Sequence, residues 1–259
     1  MQRALAKLTR SLRVVGVRGD GFHLIEAEMV TLDLADTLAF GPGDGLEMVG
    51  PSGGSSVPED ETNLVRRALA AVGRRAHVRL EKRIPAGAGL GGGSADAAAV
   101  LRWAGVSDPA LACALGADVP FCVVGGRALV SGVGEVVEPM EFEDCAFVLL
   151  TPPFGVSTAA VYRAWDELGG PAADGPNDLE APALAVEPRL ARWRDALGEL
   201  TGRVPVLAGS GSTWFVEGSA GDVGIRAGTP VAVQGAIARI VEVRTDRPSG
   251  KDLAPRGGR

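Results

Sequence analysis

The sequence predicts an α+β fold built from two domains. At 259 residues the chain is long enough for two compact units. Its apolar and charged fractions, 46% and 22%, are those of a globular protein with a substantial core. The predicted strands and helices also follow one another without strict alternation, which favours α+β over a doubly wound parallel sheet. We expect an N-terminal domain over residues 1–143 and a C-terminal domain over residues 144–259.

The chain begins with predicted strands followed by a helix. Apolar residues alternate or cluster in residues 12–17, 23–30 and 76–84, as they do in half-buried strands. Residues 51–56 read as a polar loop, and the acids that follow at residues 58–61 are typical of a helix start. The helix itself is indicated by apolar residues at helical spacing: Leu64, Val65, Ala68, Leu69 and Val72.

A second helix follows Ser94, because the alanine-rich run at residues 95–103 is a strong helix former. A glycine-rich loop therefore joins the strand at residues 76–84 to this helix. Further along the chain, a glycine cluster at residues 125–134 surrounds predicted strand residues 127–131.

The second domain is predicted to open with a strand at residues 146–150 and a helix at residues 158–168. Residues 169–188 are rich in Pro, Ala and Gly, and we expect them to be irregular. An amphipathic helix at residues 189–200 follows. The remaining apolar segments are expected strands, at residues 204–207, 214–216 and 237–243, and the tail from about residue 247 is expected to be mobile.

Charge and composition restrict the possible partners. The net charge of -6 gives no general attraction to nucleic acid, so an anionic ligand needs a local pocket. No apolar run reaches the roughly 18 residues needed to cross a bilayer. The Arg-rich first eighteen residues superficially match an organellar transit peptide, but the expectation is a cytoplasmic protein. This agrees with its isolated cysteines, Cys113, Cys122 and Cys145.

The most informative segment is Pro-Ala-Gly-Ala-Gly-Leu-Gly-Gly-Gly-Ser-Ala at residues 85–95, the glycine loop. Closely spaced glycines let successive amide N–H groups turn inward, and the following helix adds its own unpaired N–H groups and the positive end of its dipole. The segment is therefore predicted to bind phosphate. A glycine-rich turn without a ligand is disfavoured, because ordering so many glycines costs backbone entropy.

Other phosphate-binding motifs fit the glycine loop less well. Gly87, Gly89 and Gly92 satisfy G-x-G-x-x-G, but a dinucleotide-binding loop follows a nearly continuous apolar strand. Residues 77–84 instead alternate polar and apolar side chains, as in an antiparallel strand with one wet face. A Walker loop requires Lys where Gly93 stands, and the protein-kinase motifs are missing.

Asp118 and Lys7 are candidate catalytic partners. Asp118 is a single acid among apolar neighbours, and Lys7 is a cation in a similar setting. A buried carboxylate needs a partner, and an Asp held by Lys can position and deprotonate a hydroxyl group. A surface lysine and a helix-capping aspartate are the commoner explanation of such residues, and the sequence leaves both open.

Taken together, these segments resemble GHMP kinases along nearly the whole chain, and within them most of all the kinases of 4-diphosphocytidyl-2-C-methyl-D-erythritol. The resemblance implies a ribosomal-protein-S5-domain-2-like N-terminal domain, a ferredoxin-like C-terminal domain and an active site in the cleft between them. It also implies ATP and Mg²⁺, although no metal ligand is identified. The matching motifs lie at residues 6–8, 19–23, 32–38, 63–65, 85–99, 116–121, 132–135 and 209–213.

The resemblance gives the predicted site residues their roles. Lys7 and Asp118 become the catalytic pair. The acceptor, a cytidine-diphosphate-linked methylerythritol, would be bound by Thr9, Phe22, His23, Gly209, Ser210 and Gly211. The ATP site would consist of Asn63, Lys82, Pro85, Ala86, Gly87, Ala88, Gly89, Leu90, Gly91, Gly92, Gly93, Ser94 and Ala95.

Three departures from the family pattern concern mainly the acceptor side. Thr9 replaces a usual active-site Asn, and Gly175 stands where an aromatic residue often completes the cytosine sandwich. The stretch at residues 101–116 is also shorter than usual. Two alternatives therefore remain: a GHMP kinase for another alcohol, such as homoserine, mevalonate or a sugar, and a nucleotide-binding homologue that has lost catalysis. The protein is expected to be a monomer or a homodimer.

Overall fold

The structure is a computed structural model that describes residues 1–50 and 60–247. The predicted polar loop at residues 51–56, the first two residues of the predicted helix start at 58–61, and the tail beyond residue 247 lie outside the described residues.

The first sheet is built around a long β-hairpin, as the strand-turn-strand pattern predicts. β1 (Gln2–Val17) pairs antiparallel with β2 (His23–Gly41), and both strands extend well beyond the apolar runs in the sequence. β2 is long because one half pairs with β5 (Arg127–Gly132) and the other half with β4 (His77–Glu81). The edges are formed by β3 (Gly45–Val49) and β6 (Val136–Pro139).

Helices pack on this sheet and position the glycine loop. The predicted helices are confirmed as α1 (Leu64–Ala71) and α2 (Gly92–Ala104). Residues 95–101 of α2 are all buried, and their small side chains allow close contact with β1 and α1. Two short helices follow that the sequence pattern did not predict, α3 (Pro109–Leu115) and α4 (Val119–Val124).

The second sheet contains the strands of the C-terminal half in the order β10-β11-β7-β9-β8, with antiparallel pairing. The expected strands are confirmed as β7 (Ala146–Leu150), β8 (Val206–Leu207), β9 (Trp214–Glu217) and β11 (Ala236–Arg244), and β10 (Pro230–Val233) is additional. The expected helices are confirmed as α5 (Thr158–Glu167) and, after the additional α6 (Glu180–Val186), α7 (Leu190–Thr201).

The prediction of an irregular stretch at residues 169–188 is wrong in part, because α6 (Glu180–Val186) lies within it. Pro182 made the segment look incompatible with a helix. It lies in the first turn, where a backbone N–H has no intrahelical partner, so proline is tolerated there. Pro182 and Ala183 are buried in the C-terminal half.

Besides the chain connection between β6 and β7, two isolated backbone bridges link the N-terminal half to the C-terminal half. Leu12 bridges to Asn177, and Leu32 bridges to Thr245. The domain boundary at residues 143–144 remains our proposal, and it falls within this connection. Among the helices of residues 1–50 and 60–247, none is long and apolar enough to cross a membrane.

Candidate active site

A cavity of about 1010 Å³ is lined by residues from both halves of the chain. The first half contributes β1, the glycine loop and the start of α4. The second half contributes α5 and the turn after β8. Most of the predicted site residues line this cavity: Lys7, Thr9, Phe22, His23, Asn63, Lys82, residues 85–94, Asp118, Gly209 and Ser210.

Glycine is required in the glycine loop by backbone conformation and by close contacts. Gly89 has a φ of 78°, and a Cβ there would collide with the carbonyl oxygen of Ala208. Gly91 has a φ of 68° and is the N-cap of α2, so no side chain caps the first turn of that helix. The N–H groups of this turn are therefore available to an anion, as the sequence predicts for a phosphate-binding loop.

The glycine loop is fixed by the C-terminal half. The backbone N–H of Thr213 donates to the carbonyl of Ala88 at 3.1 Å, and the N–H of Val156 donates to the carbonyl of Gly87 at 3.4 Å. The loop therefore lies where the two halves of the chain meet. Asn177 supports the turn that follows β8, because its Nδ2 donates to the carbonyls of Leu207 and Gly209 at 2.8 Å each.

The structure brings Lys7 and Asp118 together. Lys7 Nζ lies 3.3 Å from Asp118 Oδ2 and donates a hydrogen bond of 3.1 Å to Thr9 Oγ1. Asp118 is the N-cap residue of α4, but its side chain makes no capping hydrogen bond within the described residues. The lysine side chain is only 6% exposed, whereas the aspartate is 32% exposed and lines the cavity. The pair thus presents its carboxylate to the cavity.

A second lysine is enclosed by two carboxylates. Lys82 Nζ donates to Asp36 Oδ2 and, at 2.7 Å, to Asp96 Oδ2. Asp36 also accepts hydrogen bonds from the backbone N–H groups of Arg83 and Ile84. All three ionisable side chains are at most 5% exposed. We predicted Lys82 to border the adenosine pocket, and the structure shows in addition that its charge is fully paired.

The charge state of this buried group follows from its surroundings. Burial raises the pKa of the Asp96 carboxyl to about 7, and the Asp36 carboxylate acts in the same direction while Lys82 opposes it. Burial acts to lower the pKa of Lys82, but the two carboxylates outweigh it and raise that pKa. Asp96 Oδ1 is buried without a hydrogen-bond partner among the described residues, which agrees with a carboxyl group that holds its proton readily.

Asn63 borders the cavity next to α1. Its Oδ1 accepts a hydrogen bond of 2.8 Å from the N–H of Val65, so it caps the helix. Its side chain is buried, and the residue stands in the cavity wall between Thr62 and Leu64.

The predicted acceptor residues Phe22 and His23 lie at the start of β2. Phe22 is 57% exposed, and the guanidinium of Arg18 lies over its ring at 5.4 Å. His23 is more enclosed. Its ring contacts α5, with centroid distances of 4.7 Å to Tyr162 and 5.4 Å to Trp165, and its Nε2 lies 2.8 Å from Asp166 Oδ1.

Two predicted residues lie outside the cavity wall. Ala95 is buried within α2, and Gly211 is next to Leu207, to which a Cβ at position 211 would be 3.1 Å away. The neighbours of Gly211 do reach the site. Gly209 lies close to Lys7 and Thr9, and the hydroxyl of Ser210 is hydrogen-bonded to that of Thr158 at 2.8 Å.

Several residues in or next to the cavity were missed from the sequence. Asp36 lies within the family motif at residues 32–38, but its position in the sequence does not indicate that it pairs with Lys82. Asp96 stands out only as a single acid in an alanine-rich helix, a signal that was available and not used. The α5 residues Tyr162 and Asp166 carry no such signal.

Comparisons with known proteins identify the family. The profile of the GHMP kinases N terminal domain matches residues 63–126. The 4-diphosphocytidyl-2-C-methyl-D-erythritol kinase of Paracoccus denitrificans is 38% identical over 83% of this chain and 85% of its own length. A crystal structure of 4-(cytidine 5'-diphospho)-2C-methyl-D-erythritol kinase is 37% identical, covers 83% of this chain and 88% of its own, and superposes with a TM-score of 0.66.

A more distant structure supports the fold alone. The mevalonate kinase of Methanococcus jannaschii is 12% identical, covers 95% of this chain and 98% of its own, and has a TM-score of 0.54. The α+β, two-domain GHMP fold that the sequence predicts is therefore confirmed, and so is the predicted resemblance. The chain belongs to the GHMP kinases and, within them, to the 4-diphosphocytidyl-2-C-methyl-D-erythritol kinase family.

Proposed function

We propose that the protein transfers the γ-phosphoryl group of ATP to the 2-hydroxyl of 4-diphosphocytidyl-2-C-methyl-D-erythritol, a step of non-mevalonate isoprenoid precursor biosynthesis in the cytoplasm. The observation that carries the proposal is the Lys7–Asp118 pair, 3.3 Å apart, in the same cavity wall as the glycine loop. A phosphate-binding loop and a carboxylate presented to one cavity are the parts that phosphoryl transfer to an alcohol needs.

The arrangement assigns a task to each group. The N–H groups of the glycine loop and of the first turn of α2 bind the ATP phosphates. Asp118 accepts the proton of the acceptor hydroxyl, the hydroxyl oxygen attacks the γ-phosphorus, and the bond from that phosphorus to the β,γ-bridging oxygen breaks. ADP and a phosphate monoester result. Lys7 holds Asp118 in position and offsets negative charge during transfer.

Thr9 takes over part of the role of the usual asparagine. Its hydroxyl oxygen accepts a hydrogen bond from Lys7 Nζ, which leaves the hydroxyl proton to donate elsewhere. A hydroxyl group thus supplies one donor where an amide supplies two. We infer that Thr9 fixes the Lys7 side chain and makes a single further contact in the site.

Mg²⁺ is proposed as the counter-ion of ATP, where it supplies charge neutralisation of the phosphates. Among the carboxylates of the cavity wall, Asp96 is occupied by Lys82, Asp118 is paired with Lys7, and Asp166 is paired with His23. We therefore assign no carboxylate of the cavity to the metal. Elsewhere in the described residues Glu143, Cys145 and Glu217 come together, but Arg10 already pairs with both glutamates.

A coupled ADP-release assay across several acceptors tests the proposal. With MgATP, we expect turnover on 4-diphosphocytidyl-2-C-methyl-D-erythritol and background rates on homoserine and mevalonate. Turnover on one of those other alcohols but not on the cytidyl acceptor would assign the protein to a different reaction of the superfamily. ATP binding measured by calorimetry, without ADP formation on any acceptor, would indicate a homologue that has lost catalysis.

A further inference from the structure

His23 is held by three side chains of α5, a helix of the other half of the chain. Tyr162 lies against its ring at 4.7 Å with an interplanar angle of 30°, and Trp165 meets it edge-on at 5.4 Å. Asp166 Oδ1 lies 2.8 Å from Nε2. The ring therefore has a fixed plane and a fixed hydrogen-bond partner on one of its two nitrogens.

We propose that Asp166 is a positioning residue that determines which nitrogen of His23 is offered to the nucleobase of the acceptor. The inference rests on the proposed function. A carboxylate accepts, so Nε2 must carry the proton that it donates to Asp166. In the neutral ring the other nitrogen, Nδ1, is then an acceptor. Among the described residues, the only hydrogen bond of the His23 ring is the one at Nε2, and His23 lines the cavity.

An acceptor nitrogen at this point distinguishes the two common pyrimidines. Cytosine presents an exocyclic amino group, which donates to Nδ1. Uracil presents a carbonyl oxygen at the same position, and its lone pairs would face those of Nδ1. Discrimination by such a mismatch is stronger than discrimination by shape, because the wrong base leaves a polar group of the site unpaired.

The test compares the acceptor with its uridine analogue in the wild type, Asp166→Ala and Asp166→Asn. We expect the wild type to prefer the cytidine compound in kcat/KM by about 100-fold or more. Asp166→Ala frees the ring to adopt the other tautomer, so the preference should fall by about tenfold or more. Asn still offers an acceptor oxygen to Nε2, so Asp166→Asn should keep the preference within about threefold of the wild type.

A positioning role also predicts how the kinetic constants divide. Asp166→Ala should raise KM for the cytidine acceptor and leave kcat and KM for ATP unchanged, because the base is bound equally in the ground state and the transition state. The matched control is Glu167→Gln, which removes a neighbouring exposed charge of α5 outside the cavity wall and should behave as the wild type does.

The tautomer itself is measurable without any acceptor. The chain contains two histidines, His23 and His77, so a His77→Gln variant assigns the ring ¹⁵N signals of His23. We expect the Nε2–H form of the neutral ring in the wild type and a shift toward the Nδ1–H form in Asp166→Ala. An Nδ1–H ring in the wild type, or an unchanged cytidine preference in Asp166→Ala, overturns the inference. Absence of wild-type turnover on the cytidine acceptor overturns the proposed function instead, and the tautomer measurement still decides the role of Asp166.

Discussion

Two lysines border consecutive glycines of the glycine loop, and they differ in how their charge is satisfied. Lys7 packs against Gly91 and has one carboxylate partner, Asp118, which is 32% exposed. Lys82 packs against Gly92 and has two carboxylate partners, both at most 4% exposed. Asp118 can exchange its interaction with Lys7 for one with a substrate, whereas Asp36 and Asp96 are buried and already hold Lys82. We call Lys7 and Asp118 the open pair, and Lys82 with Asp36 and Asp96 the closed group. We propose that the open pair serves the reaction and that the closed group holds the loop in place.

This comparison predicts a large effect on catalysis when the open pair is altered. Asp118→Asn keeps the size and the position of the side chain but removes the proton acceptor. We expect kcat to fall by roughly 100-fold to 10,000-fold, the contribution of a positioned base. The measurement is the ADP-release assay, with an unfolding curve as the control for folding. Near-normal turnover would mean that Asp118 is not the base.

The same comparison predicts a large effect on stability when the closed group is altered. Lys82→Met leaves two buried carboxylates without their cation, which should cost about 3–5 kcal/mol of unfolding free energy. Lys7→Met is the matched control. It removes the cation from a partly exposed carboxylate, so we expect a loss of about 1 kcal/mol or less together with loss of activity. Urea unfolding of both variants measures the difference. Equal losses of stability would remove the distinction between the two lysines.

The contact between Gly91 and Lys7 gives a smaller predicted effect. A Cβ at Gly91 would lie 2.7 Å from Lys7 Cγ, so Gly91→Ala should displace the lysine from Asp118. We expect kcat to fall by about 10-fold to 100-fold, the range that misplacement of a catalytic group produces.

Gly105→Ala is the control for Gly91→Ala. Gly105 ends α2 with a φ of 73°, close to the 68° of Gly91, and a Cβ there would meet nothing within 4 Å. Both substitutions thus carry the same backbone penalty of about 1–2 kcal/mol, but only the first one touches Lys7. If both variants lose activity equally, the loss comes from the backbone and not from the lysine.

The sequence predicted the open pair better than the closed group, for a physical reason. Lys7 and Asp118 are charged residues in apolar surroundings, so each one signals a need for a partner, and the family resemblance supplied the pairing. Asp36 and Lys82 meet only because β2 and β4 pair in the register that places Thr37 opposite Glu81. Register is set by the hydrophobic pattern of the strands and by the turns that join them, and no hairpin turn joins β2 to β4, since β3 and α1 lie between them.

The other features that the sequence did not predict likewise depend on tertiary packing or are too short to leave a pattern. His23 and Asp166 are 143 positions apart, and their contact depends on how the two halves of the chain meet. α3 and α4 have seven and six residues, too few for a helical periodicity to be read from the sequence. The helices α1, α5 and α7 each bury an apolar face, and α2 was predicted from its alanine-rich run.

The last prediction is a pH dependence of stability that arises from Asp96 in the closed group. The pKa of Asp96 is raised to about 7 in the folded protein, from the ordinary value of 3.8 that holds for an unfolded chain. Between these values the folded protein binds a proton that the unfolded chain has released. Stability from this group is therefore present at low pH and is lost as the pH rises from about 4 to 7, with a slope approaching about 1.4 kcal/mol per pH unit. Lys82, whose pKa is raised from 10.5, stays charged throughout this window and adds no slope there.

Asp96→Asn tests this origin of the slope, because the amide stays neutral at every pH while it can still accept a hydrogen bond from Lys82. Urea unfolding at several pH values from 4 to 8 should show a shallower pH dependence in the variant than in the wild type. Asp195→Asn, a change at an exposed residue of α7, serves as the control and should keep the wild-type slope. Parallel curves for the wild type and Asp96→Asn would show that Asp96 is ionised in the folded protein throughout this range. Lys82, Asp36 and Asp96 would then all be charged, and the stability that they contribute would come from ion pairing alone.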